Sequence, residues 1–375
     1  MNNVVGQTAK GNTPFVGTRD YWLDNIKGVL LILVVVGHMT ASLRDYYPDI
    51  KLLYNCINTF HMCAFLIITG YLSKRRIDQK DYISVINKNV IPYGLAQLLI
   101  YVFISLVPNG YKAASVSGTF SAKYFTFTVP IYQLWYLAAL IIFMIICIKL
   151  QPKRHPVIFF VSAFVLSLVS GYLTQITVFR FSKAIGYFPF FLIGYFFPKN
   201  GMEFIRKKLW LCIPAIAIFV GLLYWLNLPG SSAISDLYGF SRAYEKFSHV
   251  YANFPPVLAR ALFLTIVPII SFAFFSLVPR RKTIFTKLGQ RSMYIFVLHI
   301  IPLVLLRSIN YKTKFLSDLD ERYMRVLFVI LCIAITFVLA SNIVYKIFRP
   351  LLEPKFDIRT AVGDLYERHK KLKEK

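Results

Sequence analysis

The residues best suited to chemistry lie in the first long apolar segment, YWLDNIKGVLLILVVVGH, which runs from Tyr21 to His38. Lys27 and His38 are eleven residues apart, so on an α-helix they would lie within about 20° of one another. Asp24 precedes Lys27 by three residues and would lie within about 40° of the same face. The pattern predicts one helix stripe with an acid and a base at one end and an imidazole about 16 Å further along.

An imidazole is the usual group for moving a proton near neutral pH, so His38 is the first candidate for a catalytic residue. The alternative is structural. Asp24 and Lys27 would then mark the edge of a membrane, and His38 would hydrogen-bond a neighbouring carbonyl group.

Two further histidines, His61 and His299, also fall deep inside apolar segments. A titratable group in the hydrocarbon region is costly, which makes each of them a functional candidate. Pro302 follows His299, so a helix kink is expected beside this imidazole. A kink at mid-depth suggests a cavity, and the alternative is a packed core histidine.

Other candidate residues lie near the ends of apolar segments. Lys74, Arg75 and Arg76 follow the second segment and could hold phosphate groups, although taken alone a stop-transfer cluster is the more common interpretation. Trp135 and Tyr136 open the fourth segment in QLWYLAAL. They fit either an interfacial aromatic belt or a substrate contact.

The elements that must position these residues follow from composition. Hydrophobic residues make up 57% of the 375 and the mean hydropathy is +0.57, which excludes a soluble enzyme and a disordered chain. The apolar residues come in runs of about 20, which predicts an all-α, polytopic membrane bundle. Ten spans are expected, at about residues 23–43, 53–73, 90–107, 132–149, 157–175, 184–198, 209–228, 256–278, 292–308 and 326–348.

The net charge of +26 lies mainly between the apolar runs. Positive charge between apolar runs is typical of cytoplasmic loops, so a nucleic-acid ligand is not needed to explain it. A polyanionic cytosolic ligand is a second explanation, compatible with the first. Four predicted cytoplasmic loops hold 17 Lys and Arg, whereas five longer ones on the other side hold 13. Both termini are therefore predicted to be cytoplasmic, with a polar tail over 1–20, a membrane domain over 21–350 and a charged tail over 351–375. The five cysteines lie singly, so no metal site is expected.

Five blocks of sequence occur in order over about residues 20–300: YWLDNIKGVLLILVVVGH, FHMCAFLIITGYL, LWYLAAL, FPFFLIGY and SMYIFVLH. Together they resemble the acyltransferase family 3 of integral membrane proteins, and most of all its fucose 4-O-acetylase-like branch. The most specific mark of the family is a basic residue, ten further residues and a histidine, which falls on Lys27 and His38. One departure is Cys63, where the branch pattern has proline, and this weakens the inferred placement of His61.

The resemblance implies a plasma-membrane enzyme that O-acylates, usually acetylates, a carbohydrate hydroxyl with acyl-CoA as donor. The thioester is already activated, so no metal or cofactor beyond acetyl-CoA is needed. His38 would be the essential histidine, which either removes the proton of the hydroxyl or carries the acyl group itself. The donor's phosphates could be bound by Lys27, Arg75 and Arg76. The candidates for supporting residues or acceptor contacts in the cavity are Asp24, His61, Trp135, Tyr136 and His299.

Another class of function is also compatible with ten spans and a polar stripe, namely a transporter or exporter of a glycan or lipid-linked intermediate. A structural membrane subunit is a third interpretation, in which the histidines would be dispensable. The predicted external loop 307–325 holds five basic residues, against the positive-inside trend, and this hints at an anionic acceptor outside. The sequence carries no signal for an oligomeric state.

Overall fold

The computed structural model describes seven stretches of the chain. They are residues 19–114, 126–173, 178–207, 209–227, 239–240, 243–247 and 255–353. Most of the two predicted tails, and much of the predicted loops 108–131 and 228–255, lie outside the described residues. The described stretches contain helices and no strand, which confirms the all-α prediction.

The fifteen helices of the described stretches carry the following labels. They are α1 (Tyr21–Thr40), α2 (Pro48–Asp78), α3 (Tyr82–Leu106), α4 (Gly110–Ala114), α5 (Trp135–Leu150), α6 (Pro156–Val169), α7 (Phe181–Phe196), α8 (Lys199–Lys207), α9 (Cys212–Asn227), α10 (Pro256–Leu277), α11 (Ile284–Gln290), α12 (Ser292–Leu298), α13 (Ile300–Thr313), α14 (Arg322–Leu339) and α15 (Asn342–Leu352).

Seven helical segments of the described chain are long and apolar enough to cross a membrane, with α12 and α13 together forming one of them. The number is eight if α8 and α9, bent by 87° at their junction, form one broken span. The spans predicted at 157–175 and 184–198 correspond to α6 and α7, which have 14 and 16 residues. At 1.5 Å per residue even α7 is about 24 Å long, less than the hydrocarbon thickness of about 30 Å. The architecture is a polytopic helical membrane bundle; ten spans and cytoplasmic termini stay predictions.

Two helices extend beyond their predicted bounds and change where polar residues lie. α2 has 31 residues, about 46 Å at the α-helical rise, so Arg75 and Arg76 belong to its last turns. α3 begins at Tyr82 and contains a π-helical turn over Ile86–Val90. Pro92 has no N–H to donate within this segment, and a wider turn accommodates such a loss.

Two close glycine contacts fix how the central helices cross. A Cβ on Gly28 of α1 would lie 2.2 Å from the Phe285 carbonyl oxygen, and one on Gly289 of α11 would lie 1.8 Å from the Asp24 carbonyl oxygen. A similar contact joins α2 to α7, where a Cβ on Gly194 would lie 1.8 Å from the Ile67 carbonyl oxygen. Only glycine lets two helix backbones approach so closely, as is common between membrane helices.

Polar contacts add to the α1–α11 packing. The Asn25 side chain donates to the Pro279 and Arg281 carbonyl oxygens, each at 2.8 Å. It also accepts hydrogen bonds from the hydroxyls of Thr283 and Thr286, at 2.9 and 2.7 Å, and both residues form the capping box of α11. The start of α1 is therefore fixed against the segment that leads into His299.

Candidate active site

Two histidines from distant parts of the chain stack inside the bundle, and a third lies in their surroundings. The His38 and His299 rings stack with centroids 5.5 Å apart and an angle of 24° between their planes. His61 lies within electrostatic range of His38. His299 occupies the break between α12 and α13, three residues before Pro302, so the predicted irregularity occurs at the imidazole itself. The structure thus brings His38 and His299 into contact, two residues that the sequence singled out separately.

The hydrogen bonds of two of these histidines define their protonated nitrogen. Nδ1 of His61 is 2.8 Å from the Ile57 carbonyl oxygen, and Nδ1 of His299 is 3.0 Å from that of Ile295. A carbonyl oxygen only accepts, so Nδ1 carries the hydrogen and a neutral ring keeps its lone pair on Nε2. Within the described part of the chain, Nε2 of His299 is buried without a hydrogen-bond partner.

His38 differs from the other two histidines in accessibility. Its side chain is half-buried, whereas His61 and His299 are 3% and 0% exposed. His38 therefore has the imidazole most open to a substrate, and the other two form its buried surroundings. The helix α2 runs unbroken through Cys63, which places His61 on regular helix despite the missing proline.

The predicted acid–base pair lies at the start of α1. Asp24 accepts from Lys27 Nζ at 2.9 Å and from Arg19 Nε at 2.6 Å. The carboxylate is buried, and a buried charge needs such partners. Asp24 thus fixes the direction of the Lys27 side chain, and α1 carries Lys27 and His38 on one continuous helix.

A cleft with a volume of about 220 Å³ opens at this end of the bundle. Three cations line it, Lys27 of α1, Arg76 of α2 and Lys88 of the π-helical turn in α3. The remaining lining residues are Phe65, Thr69, Leu72, Ser73, Asn89, Tyr136, Leu137, Leu140, Ser292, Met293 and Phe296. Two of the predicted donor-binding residues therefore share one cleft, whereas Arg75 is exposed and is not among its lining residues.

Two polar atoms in the cleft wall have no hydrogen-bond partner in the described part of the chain. They are the hydroxyl of Ser73 and the side-chain carbonyl oxygen of Asn89, both buried. A buried polar group without a partner costs about 1–3 kcal/mol. The Ser73 hydroxyl can donate to an anion beside Lys27, Arg76 and Lys88, whereas the Asn89 oxygen only accepts and needs a donor from the occupant.

Packed side chains join the cleft wall to the histidines, none of which lines the cleft itself. Tyr136 packs against Phe65 and Phe296 at centroid distances of 5.6 and 5.2 Å, and its hydroxyl is 2.7 Å from that of Thr69. Phe296 lies 6.1 Å from the His299 ring, which in turn stacks on His38. One continuous series of contacts therefore joins the cationic mouth of the cleft to the imidazole of His38.

Trp135 is adjacent to Tyr136 in sequence but lies outside the cleft lining. It stacks on Tyr187 with centroids 5.1 Å apart, and Lys183 Nζ lies 4.1 Å above its ring. It is 7% exposed and so packs inside the protein, which differs from the lipid-interface belt that its position in the sequence allowed.

Several residues of the site have no distinctive sequence signal. In the sequence, Lys88 and Lys183 are two of many cations in predicted loops. Ser73 and Asn89 are ordinary polar residues there. The π-helical turn that carries Lys88 and Asn89 into the cleft likewise had no sequence signal. The described residues contain no group of three His, Cys, Asp or Glu arranged to hold a metal ion; a reaction without a metal stays a prediction.

Comparisons with known proteins agree with this geometry. The family model described as "Acyltransferase domain", of acyltransferase family 3, matches residues 20–344. Nodulation protein NolL of Mesorhizobium japonicum is 26% identical over 237 residues, which cover 60% of this chain and 62% of that protein. No solved structure matches.

The fold and the family match define the class as a multi-pass membrane protein with an acyltransferase family 3 domain. The chain belongs to acyltransferase family 3. The family prediction is thereby confirmed, whereas the fucose 4-O-acetylase-like branch and the plasma membrane stay predictions. The aligned region spans less than two thirds of the curated relative's length.

Proposed function

We propose that this protein is an O-acetyltransferase of the plasma membrane that moves an acetyl group from acetyl-CoA to a carbohydrate hydroxyl. The acceptor is a cell-surface polysaccharide or its lipid-linked sugar precursor. The observation that carries the proposal is the series of side-chain contacts from the cationic cleft, through Tyr136 and Phe296, to the stacked rings of His299 and His38.

The cleft suits the donor because its two ends match the two ends of acetyl-CoA. The nucleotide phosphates would lie against Lys27, Arg76 and Lys88, and charge-assisted hydrogen bonds are about twice as strong as neutral ones. Ser73 and Asn89 offer further polar contacts. The narrow pantetheine arm would follow the cleft and place the thioester near the histidines.

The chemistry needs one base and a water-poor site. Nε2 or Nδ1 of His38 takes the proton of the acceptor hydroxyl, and the oxygen attacks the thioester carbonyl carbon. The carbon–sulfur bond then breaks, the thiolate of CoA leaves, and the imidazolium returns the proton to it. The products are an O-acetyl ester and CoA, and general base catalysis of this kind contributes about 10²–10⁴-fold.

Two features would support His38 in this role. The stacked His299 ring limits how the His38 ring turns, and a fixed base is more effective than a mobile one. The lone pair on Nε2 of His61 would add an acceptor near the imidazolium when it forms.

A test separates this enzyme from the transporter that the sequence also allows. The purified protein is reconstituted in lipid vesicles with acetyl-labelled acetyl-CoA and a mixture of surface glycans as acceptors. The enzyme transfers label to a glycan, and the amount follows the donor concentration. Movement of unmodified glycan across the vesicle membrane without donor, and no label transfer, would instead establish the transporter.

A further inference from the structure

A second pair of cations lies near His38, apart from the three that line the cleft. Lys183, in the first turn of α7, lies over Trp135, and Arg307 of α13 contacts Tyr132, three residues earlier in the chain, so both cations lie beside the same segment. Both are also within electrostatic range of His38. Neither side chain forms an ion pair with a carboxylate in the described part of the chain. Nε of Arg307 is also buried there without a hydrogen-bond partner.

This pair and the cleft occupy opposite sides of the histidines. Lys27 is at the start of α1 and His38 is near its end, about 16 Å further along the axis. Lys183 and Arg307 fall in segments that the sequence predicts to be external, whereas Lys27 and Arg76 fall at predicted cytosolic ends. An acceptor that reaches His38 from the side opposite to the donor would therefore pass these two cations.

Aromatic side chains hold both cations in place. Lys183 Nζ lies 4.1 Å above Trp135, which stacks on Tyr187. Arg307 Nη1 donates to the Tyr132 hydroxyl at 3.2 Å, and its guanidinium lies 5.8 Å from that ring. A flat indole beside a fixed cation is a suitable surface for a sugar that bears a negative group.

The charge of the pair indicates which negative group fits best. Cations without a counter-charge are costly inside a membrane protein, so an anionic ligand would stabilise them. A phosphate monoester carries about −1.5 to −2 charges near pH 7 and three acceptor oxygens, whereas a carboxylate carries one charge. Two cations therefore match a phosphate group better than a carboxylate.

We propose that Lys183 and Arg307 bind the phosphate group of a phosphorylated sugar acceptor, with Trp135 beside the sugar ring. This inference rests on the proposed function, since it names the substrate class of the same site. The phosphate could belong to a soluble sugar phosphate or to a sugar linked to a lipid through pyrophosphate, because each carries about two negative charges near pH 7.

The test measures binding of glucose 1-phosphate to the full-length protein in neutral detergent by calorimetry. Saturating CoA is present throughout, so that the cleft cations are not available to the phosphate. Glucose and glucuronate are the comparison ligands, and Lys183→Gln and Arg307→Gln are the variants. Lys312→Gln is the matched control, because Lys312 is exposed at the end of α13, outside the pair.

We expect glucose 1-phosphate to bind the wild type and Lys312→Gln equally, and at least about tenfold more weakly to each of the other two variants. Glucose and glucuronate should bind the wild type more weakly than glucose 1-phosphate does. Competition by dodecyl phosphate would assign the phosphate to a lipid-linked sugar, and no competition would assign it to a soluble sugar phosphate.

Equal binding of glucose 1-phosphate by the wild type, Lys183→Gln and Arg307→Gln would overturn the inference. So would binding of glucose or glucuronate as tight as that of glucose 1-phosphate. Binding of CoA by each variant shows that it is folded. Failure of the wild type itself to bind CoA would contradict the proposed donor site instead, so the two proposals fail in distinguishable ways.

Discussion

The imidazole rings of His38 and His299 stack at a centroid distance of 5.5 Å, although the residues are 261 positions apart in the chain. The contact makes the orientation of His38 depend on the break between α12 and α13. The same two regions are joined at their other end by the close approach of Gly28 and Gly289. Packing far from the chemistry should therefore influence the proposed base.

Gly289→Ala tests this dependence on helix packing. The new Cβ would lie 1.8 Å from the Asp24 carbonyl oxygen, so α1 and α11 must separate. Such overpacking costs about 1–3 kcal/mol. We expect a lower melting temperature in detergent and a lower kcat. The matched control is Gly221→Ala in α9, where nothing lies within 4 Å of the added Cβ; a similar loss there would contradict the explanation.

Arg76→Gln tests the donor cleft. Loss of one charge-assisted hydrogen bond, worth about 1.5–3 kcal/mol, should raise KM for acetyl-CoA by at least about tenfold. Its neighbour Arg75 lies outside the cleft, so Arg75→Gln should leave KM unchanged. The truncated donor S-acetylpantetheine has no nucleotide phosphates, and its KM should be the same in both variants. Equal effects of the two substitutions would refute a specific role for Arg76.

Asp24→Asn tests whether this carboxylate positions Lys27. Because Asp24 holds Lys27 and Arg19, its neutral amide should leave Lys27 mobile and raise KM for acetyl-CoA several-fold while kcat changes little. Asp49→Asn is the control, since Asp49 also pairs with an arginine, Arg325, at 2.8 Å but outside the cleft. An unchanged KM in folded Asp24→Asn would remove the positioning role.

His299→Ala and His299→Phe separate stacking from proton transfer. Alanine removes the ring against which His38 packs, whereas phenylalanine keeps a flat partner without nitrogen atoms. If His299 only positions His38, kcat should fall about tenfold in the alanine variant and recover partly in the phenylalanine variant, with little change in the KM of the donor. Equal losses in both, as large as that of His38→Ala, would instead assign His299 a role in proton transfer.

The sequence predicted the helical class and the stripe on α1 because both depend on local periodicity. Lys27, His38 and Asp24 lie on one helix as predicted. The sequence did not predict that Arg75 lies outside the cleft or that Lys88 lies inside it. Those positions depend on the length of α2 and on the π-helical turn in α3. The contact between His38 and His299 depends on the glycine contacts between helices. Such contacts join distant parts of the chain, so no local pattern in a single sequence predicts them.

The lengths of α6 and α7 show a related limit. Hydropathy predicted 19 residues at 157–175, yet α6 has 14. The span at 184–198 was expected to be short, with a break or tilt at Pro189, and α7 is a helix of 16 residues that contains this proline. Aromatic residues such as Phe188 and Phe190 raise hydropathy whether they contact lipid or other helices, and both are buried in the bundle. Apolar character therefore located the helices but did not determine how much of the membrane each one crosses.

The most direct measurement of the central claim is release of CoA from acetyl-CoA by the purified protein in lipid, with a glycan acceptor, in the wild type and in His38→Ala. We predict acceptor-dependent release by the wild type and a loss of about 10²–10⁴-fold in His38→Ala, with donor binding retained. Equal turnover by both proteins, or no turnover by folded wild type that binds acetyl-CoA, would contradict the assignment of His38 as the base.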